Sequence, residues 1–430
     1  MEPTWRSNLL TLSIEKPAAG GRMIARHDGQ IVLVSGAIPG ERVRARVEHV
    51  KGGVVYASVT EIEDPSPDRR EPSGDPWCGG SVYAHIAYDR QCELKGEIIA
   101  DAFRRIARLP LQAAVRVRPS PERGYRMRAR LHVRGSRIGF FREGTHDVCD
   151  PAASGQLLPQ TIEAVESLGQ RLGRGGLQHV REIELTENTA ATERAVLIEL
   201  QPGSGILPHV VLPSADVPAF TGVVVLRSDV PDRSSSRGSP YVTDVLPLSG
   251  ASAALTLRRH VASFFQANRY LLTSLVHAVT ELVPAGRVVD LYAGAGVFGL
   301  ACAALQRGPV VAVESDRHGS QDLKHNARPF ADAVRVVGGA VEAFLGREPI
   351  ADDATLIVDP PRTGMSREAT LAITRTHARR VIYVSCDVAT LARDVRRLID
   401  AGYRLAHIEG FDLFPNTAHV ETVVLLTRSE

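Results

Sequence analysis

Val381-Ile-Tyr-Val-Ser-Cys-Asp-Val-Ala-Thr-Leu-Ala-Arg-Asp394 decides how the chain is read. Its first four residues are β-branched or aromatic and predict a short buried strand. From Thr390 onward, Leu391, Val395 and Leu398 recur at helical spacing, which predicts an amphipathic helix with Arg393 and Asp394 toward solvent. Ser385-Cys386-Asp387 lies between them, so a thiol sits at the carboxyl end of a strand and beside a helix N-terminus. In an open α/β sheet that edge is where ligands bind, and a helix N-terminus favours thiolate over thiol. Free cysteine is also among the most buried residue types and packs as a small hydrophobe. Cys386 therefore becomes a candidate nucleophile only if chemistry gathers around it.

Upstream and downstream, strands alternate with helices from residue 254 on. Strands are expected at 288–291, 310–314, 334–337, 356–359 and 381–384, with a closing pair near 403–408 and 421–426. Phe264-Phe-Gln-Ala-Asn268 opens a helix expected to run to about residue 282. The pattern is that of a doubly wound sheet ending in a hairpin-like pair. Its first strand runs into Asp290-Leu-Tyr-Ala-Gly-Ala-Gly-Val-Phe-Gly299, where Gly294, Gly296 and Gly299 have dinucleotide spacing. Glu314 ends the next strand, where an acid bonds ribose hydroxyls. Glycines also serve tight strand–helix packing. The loop points to an adenosine-containing cofactor without separating NAD from S-adenosylmethionine. Asp290 disfavours NAD, since a carboxylate repels a pyrophosphate, and suits the cationic or amino-acid end of S-adenosylmethionine.

The fourth strand ends in Ile357-Val-Asp-Pro-Pro-Arg-Thr-Gly364. Two prolines stiffen the backbone and leave Asp359 at the strand tip, where it either caps a turn or accepts a hydrogen bond from a nucleobase N–H. Asn416-Thr-Ala-His-Val-Glu421 leads into the last strand. If that strand pairs antiparallel with the Cys386 strand, Glu421 reaches the same edge and can act as a base.

The remaining chain is of another character. Residues 8–62 show short alternating stretches cut by glycine and proline, which predicts a small antiparallel barrel. Asp64-Pro-Ser-Pro-Asp-Arg-Arg-Glu-Pro72 reads as a linker. A helix is expected over about residues 88–108, followed by a basic ribbon, Tyr125-Arg-Met-Arg-Ala-Arg-Leu-His-Val133 with Ile138-Gly-Phe-Phe141. Further strands are expected at 196–200 and 223–226, and residues 229–240 read as polar and flexible. Between Arg104 and Arg142 lie ten more arginines against one acid, Glu122, a local excess able to neutralise phosphates. No apolar run approaches a membrane span, and Met1-Glu-Pro-Thr-Trp-Arg is no signal peptide. Five scattered cysteines argue against a disulfide framework and for a reducing, cytoplasmic setting.

Asp290-Leu-Tyr-Ala-Gly-Ala-Gly296, Val358-Asp-Pro-Pro-Arg-Thr-Gly364, Tyr383-Val-Ser-Cys386, His419-Val-Glu421 and Phe264-Phe-Gln-Ala-Asn268 together resemble the motif series of the RNA uracil-5-methyltransferase family, which acts on tRNA or 23S rRNA. The resemblance implies a class I methyltransferase doubly wound α/β sheet at residues 254–430 and a TRAM-like, OB-like β-barrel at 1–63. A linker at 64–74 and a central α+β RNA-facing domain at 75–253 complete the expected layout. It implies Cys386 as nucleophile toward C6 of uracil and Glu421 as the base that removes the C5 proton. Gln266, Tyr292, Gly294, Glu314 and Asp359 are implied to bind S-adenosyl-L-methionine, with Asp359 also near the uracil. The implied partner is RNA, with no membrane and no obligate protein partner. Several members hold an iron–sulfur cluster on C-x5-C-G-G-C plus a distant fourth cysteine. Here Pro72 and Ser81 replace two of these, Cys78 and Cys149 match the others, and the spacing of Cys92 is unfamiliar. No cluster is expected, because two ligands do not hold one. Val297 stands where some relatives place a cofactor-contacting Asn.

Two other readings fit parts of this pattern. A methyltransferase on an exocyclic amine of adenine or guanine also uses a proline-rich acidic motif, without needing Cys386. An RNA-binding or RNA-folding protein with a vestigial site would bind RNA and not the cofactor. An NAD oxidoreductase rests on the glycine loop alone.

Overall fold

The structure, a computed structural model, describes residues 9–212, 217–227, 229, 234–376 and 378–428; the reading of Met1-Glu-Pro-Thr-Trp-Arg and of residues 230–233 lies outside them. The N-terminal strands Leu9–Pro17, Met23–His27, Gln30–Ser35, Arg42–Lys51 and Val54–Asp64 close into a barrel. Alternation does the closing: Leu10, Leu12, Ile14, Val32, Val34, Val43 and Ala45 point inward from successive strands. Asp28 and Gly29 both take positive φ, 49° and 78°, the two-residue turn that joins twisted strands. One pairing is parallel, between Gln30–Ser35 and Val54–Asp64, so the barrel is not wholly antiparallel.

The expected linker is tied down. Glu41, buried, accepts from Ile38 N, Ser66 N and both ends of the Arg69 guanidinium. Arg70 bridges Glu122 and the Asn416 side chain.

A second sheet of seven strands runs, edge to edge, Ser234–Gly238, Gly222–Leu226, Arg194–Leu200, Val180–Glu187, Arg128–Arg134, Arg137–Phe141, Val148–Cys149. Helix Pro159–Leu177 lays Val165, Leu168 and Leu172 on the same core as Leu131, Ile183 and Val196. Ser234–Gly238 is a strand, not flexible chain, because its backbone completes the edge left open by Gly222–Leu226. Cys78 and Cys149 are joined as a disulfide, Cα atoms 5.6 Å apart, which corrects the expectation from scattered cysteines: 71 residues separate them in the chain and the fold closes that distance. The basic ribbon is also less free than its sequence suggests. Arg128 and Arg130 pair with Glu184, Arg118 with Glu409, Arg142 with Asp75, and Arg104 and Arg105 with Asp101.

The third sheet has eight strands in the order Val334–Gly338, Val310–Glu314, Val288–Leu291, Thr355–Val358, Arg380–Ser385, Glu421–Thr427, Arg404–Phe411, Val117–Arg118. The first five are mutually parallel; Glu421–Thr427 runs antiparallel to both of its neighbours. The chain leaves Val288–Leu291 in one direction and returns on its other side, which makes a topological switch point beside the glycine loop. The edge strand comes from outside the 254–430 segment, and helix Tyr88–Ala102 shares a core with Val381, Leu391 and Val395. Residues 88–118 thus build part of the catalytic unit.

Residues 264–268 do not open a helix. Helix Leu272–Glu281 starts later, because Asn268 turns its side-chain oxygen to Tyr270 N and Leu271 N while Ala267 O takes Met127 N from the neighbouring segment. The Gln266 segment becomes an extended strap across the sheet edge.

Candidate active site

The glycine loop is shaped from below. Asp290 is fully buried and its Oδ2 accepts from Gly299 N at 2.8 Å. A Cβ on Gly299 would sit 2.7 Å from that oxygen, so glycine is required there. Burial, together with Glu314, pushes the Asp290 carboxyl up to about 7. Asp290 therefore braces the loop rather than presenting a carboxylate to a bound cation, which corrects the sequence expectation. Glu314 reaches back with Oε2 to Gly294 N, 2.7 Å, and with Oε1 to Asp316 N, 2.6 Å. Tyr292 and Gly294 take φ of 63° and 55°, and a Cβ on Gly294 would meet nothing within 4 Å. The loop backbone thus opens onto free space at Gly294, where a ligand can approach.

The thiol lies two strands away from the loop. Arg380–Ser385 and Glu421–Thr427 pair antiparallel with Ser385 opposite Thr422, and the same register carried one residue further sets Cys386 opposite Glu421. Thr355–Val358 is the other neighbour of the Cys386 strand and ends at Asp359, whose Oδ2 lies 3.4 Å from Gln266 Nε2. Cys386, Glu421, Asp359 and Gln266 therefore gather at one sheet edge, with Glu314 and Gly294 on the far side of the switch point.

The charge balance there is unusual. Burial, helped by Glu421 and Asp359 and opposed by Arg362, pushes the Cys386 thiol up to about 12. The expectation that the helix N-terminus would yield a thiolate fails for a local reason as well. Asp387 caps helix Val388–Asp400, its carboxylate accepting from Thr390 N at 2.8 Å, so the positive end of the helix is already answered. Burial raises Glu421 to about 8 against the pull of Arg362. Asp359 is raised well above the usual carboxylate range by burial and by Glu421 and Asp290. At neutral pH the ligand-free site is a thiol among carboxyls that resist ionisation. The expected consequence is direct: alkylation of Cys386 by iodoacetamide, read by peptide mass mapping, keeps rising with pH through about pH 10. A plateau near the free-thiol value, ~8.5, would contradict this environment.

Several supporting residues carried no signal in the sequence. Asp394, expected at the surface, is fully buried and accepts from Met365 N at 2.9 Å, Tyr383 OH at 3.0 Å and the guanidinium groups of Arg393 and Arg397. It fastens the Pro-Pro-Arg loop to the Cys386 strand. Lys95, also fully buried, pairs with Asp412 and donates to Phe414 O at 3.1 Å. Gln91 both donates to and accepts from Asn416. Helix Tyr88–Ala102 thereby clamps residues 412–420, which lead into Glu421. Arg362 was visible in its motif, but its action on Cys386 and Glu421 was not.

Residues 351–429 match the family described as tRNA (Uracil-5-)-methyltransferase, and residues 9–60 match the TRAM domain. An uncharacterized RNA methyltransferase of Streptomyces coelicolor is 34% identical over 95% of this chain and 90% of its own length. The 23S rRNA (uracil(1939)-C(5))-methyltransferase RlmD of Pseudomonas putida is 33% identical over 96% of this chain and 92% of its own. Among solved structures, the Pyrococcus abyssi tRNA (uracil-54, C5)-methyltransferase in complex with S-adenosyl-L-homocysteine superposes with a TM-score of 0.74. It is 25% identical, covering 97% of this chain and 99% of that one.

Proposed function

The chain belongs to the RNA uracil-5-methyltransferase family, and from that premise we propose that it methylates C5 of a uridine in structured RNA through a covalent bond between Cys386 and C6. One observation carries the reading: Cys386 directly follows Ser385, which pairs with Thr422, the neighbour of Glu421 on the adjacent antiparallel strand, and Asp359 directly follows the strand on the other side.

The family is S-adenosylmethionine-dependent, and the residues present suit that cofactor. The loop opens at Gly294, and carboxyls held above their ordinary range by burial, with Glu421 and Asp290 adding their charge at Asp359, would be relieved by a cationic ligand. Gln266, Tyr292, Gly294, Glu314 and Asp359 are the residues assigned to hold it. Bound there, it supplies an electrophilic methyl group.

The protein's own part follows from the weakness of C5 as a nucleophile. Cys386 gives its thiol proton to solvent, its sulfur adds to C6, and the electron pair of the 5,6 double bond moves toward C4 and its oxygen, leaving an enolate whose C5 is nucleophilic. Arg362 favours the charged forms of both Cys386 and Glu421. Once C5 carries the methyl group it is saturated. Glu421 then takes the C5 proton, the freed pair restores the double bond, and the sulfur leaves. The carboxylate does this only when ionised, so turnover is expected to rise with pH toward about 8 in the absence of other charges.

No helix among the described residues is long and apolar enough to cross a membrane. An RNA substrate accords with the TRAM domain at residues 9–60. Ribosomal RNA is the first candidate and tRNA the second. The test is mass mapping of 5-methyluridine in both RNAs from cells with and without the gene. Loss of one modified position names the substrate; an unchanged map in every RNA overturns the proposal.

A further inference from the structure

Half of the twelve arginines from Arg104 to Arg142 are answered by a carboxylate. Arg126 belongs to the other half. It has no carboxylate partner among the described residues, and its Nε is buried with no hydrogen-bond partner. Its guanidinium stands 6.0 Å from the ring of Tyr125, 5.7 Å from Phe140 and 5.4 Å from Phe414. Three aromatic faces hold a planar cation in place without neutralising it.

Its position is where the site's straps converge. Arg126 bridges to Asn268, and Met127 N donates to Ala267 O, which fixes it against the Gln266 strap. Asn268 in turn donates to Leu413 O, next to Phe414. From Phe414 the rings continue outward: His419, exposed, lies 6.2 Å away edge to face, two residues before Glu421. Desolvation of its ring, with the charges of Arg362, Lys95 and Arg126, pulls the His419 imidazole down to about 4, so it is neutral at pH 7. Around the mouth of the site there is therefore an unanswered guanidinium, a half-buried phenyl ring and an exposed neutral imidazole. That is the inventory that binds single-stranded nucleic acid: a fork for a phosphodiester and flat faces for a base.

We propose that Arg126, with Phe414 and His419, forms a subsite for the nucleotide adjoining the target uridine, Arg126 taking the phosphodiester and the two rings taking the base. This rests on the RNA-methylating reading above. The subsite offsets part of the cost of unstacking the uridine, and it holds the backbone so that the displaced base meets Cys386.

The experiment uses the full chain with unmodified 23S rRNA and tRNA transcripts, and compares wild type with Arg126→Gln and Arg126→Lys. Wild-type methylation of either transcript is the precondition; if neither is methylated, the uridine-methylating reading itself falls. Arg126→Gln is expected to lower kcat/KM for RNA by roughly 10- to 100-fold and to make the dependence of log Kd on log salt shallower by roughly 0.7–0.9. S-adenosylmethionine affinity by calorimetry and Cys386 alkylation stay as in wild type. Arg126→Lys keeps the charge and the salt slope but recovers only part of the rate, since an ammonium lacks the planar fork. The proposal is overturned if Arg126→Gln leaves the salt slope unchanged. It is equally overturned if either variant loses cofactor affinity in step with RNA affinity, which is the mark of a purely structural residue.

Discussion

Glu421→Gln accumulates a covalent protein–RNA adduct that survives a denaturing gel, while Cys386→Ala forms none and transfers no methyl group. The two residues lie next to the paired Ser385 and Thr422, yet they act at opposite ends of the reaction, and so their removal leaves different species behind. Without the sulfur, C5 of uracil has too little electron density to attack, and the rate falls by roughly four orders of magnitude or more, the scale of losing a covalent nucleophile. Without the carboxylate, addition and methylation still proceed, but the C5 proton has no acceptor and the C6–S bond cannot break. Gln keeps the size and shape of Glu421 in its buried position, so the difference reports on proton removal alone. A Glu421→Gln protein that releases methylated RNA at the wild-type rate, with no shifted band, would remove Glu421 from the mechanism. A Cys386→Ala protein with full activity would favour methylation of an exocyclic amine.

Asp394→Ala is expected to destabilise the protein by roughly 3–5 kcal/mol, the range seen when one member of a buried charged network is deleted. Asp394 is fully buried and takes hydrogen bonds from Met365 N, Tyr383 OH, Arg393 and Arg397. Alanine leaves the first two groups unpaired in the interior and strands the guanidinium groups at its edge. Against the total stability of a typical domain, ~5–15 kcal/mol, that is a large fraction. Activity falls further than stability alone requires, because the loop held by Asp394 carries Asp359 and Arg362. The check is urea unfolding together with calorimetric titration of S-adenosylmethionine. Asp394→Asn, which keeps the shape and part of the acceptor capacity, is expected to lie between alanine and wild type. An Asp394→Ala protein as stable as wild type would show that the buried carboxylate is dispensable to this loop.

What the linear chain announced were features with a local cause. The strands at 288–291, 310–314 and 381–384 could be read because β-branched runs favour a buried, pleated backbone wherever they occur. The barrel could be read because alternation with closely spaced glycines permits little else, and the glycine loop because positive φ at Gly294 and Gly296 demands that residue type. Where local signals competed with distant partners, the reading failed. Phe264–Asn268 has a helical look, but Asn268 is claimed by Ser120 and Leu413, far away in sequence. Ser234–Gly238 looks flexible until the edge of a sheet needs it.

By itself, then, the sequence determined the doubly wound sheet, the barrel before it and the identities of the residues at the sheet edge. Periodicity, turn chemistry and motif spacing are properties of neighbouring residues. Only the tertiary structure decided their charge states and their supports. It made Cys386 a thiol rather than a thiolate, buried Asp394 and Lys95, joined Cys78 to Cys149 and left Arg126 without an acid. Desolvation and Coulomb interaction depend on which groups folding brings within a few ångströms of each other. Some of those groups come from distant segments, as Lys95 and Asp412 do, 317 residues apart.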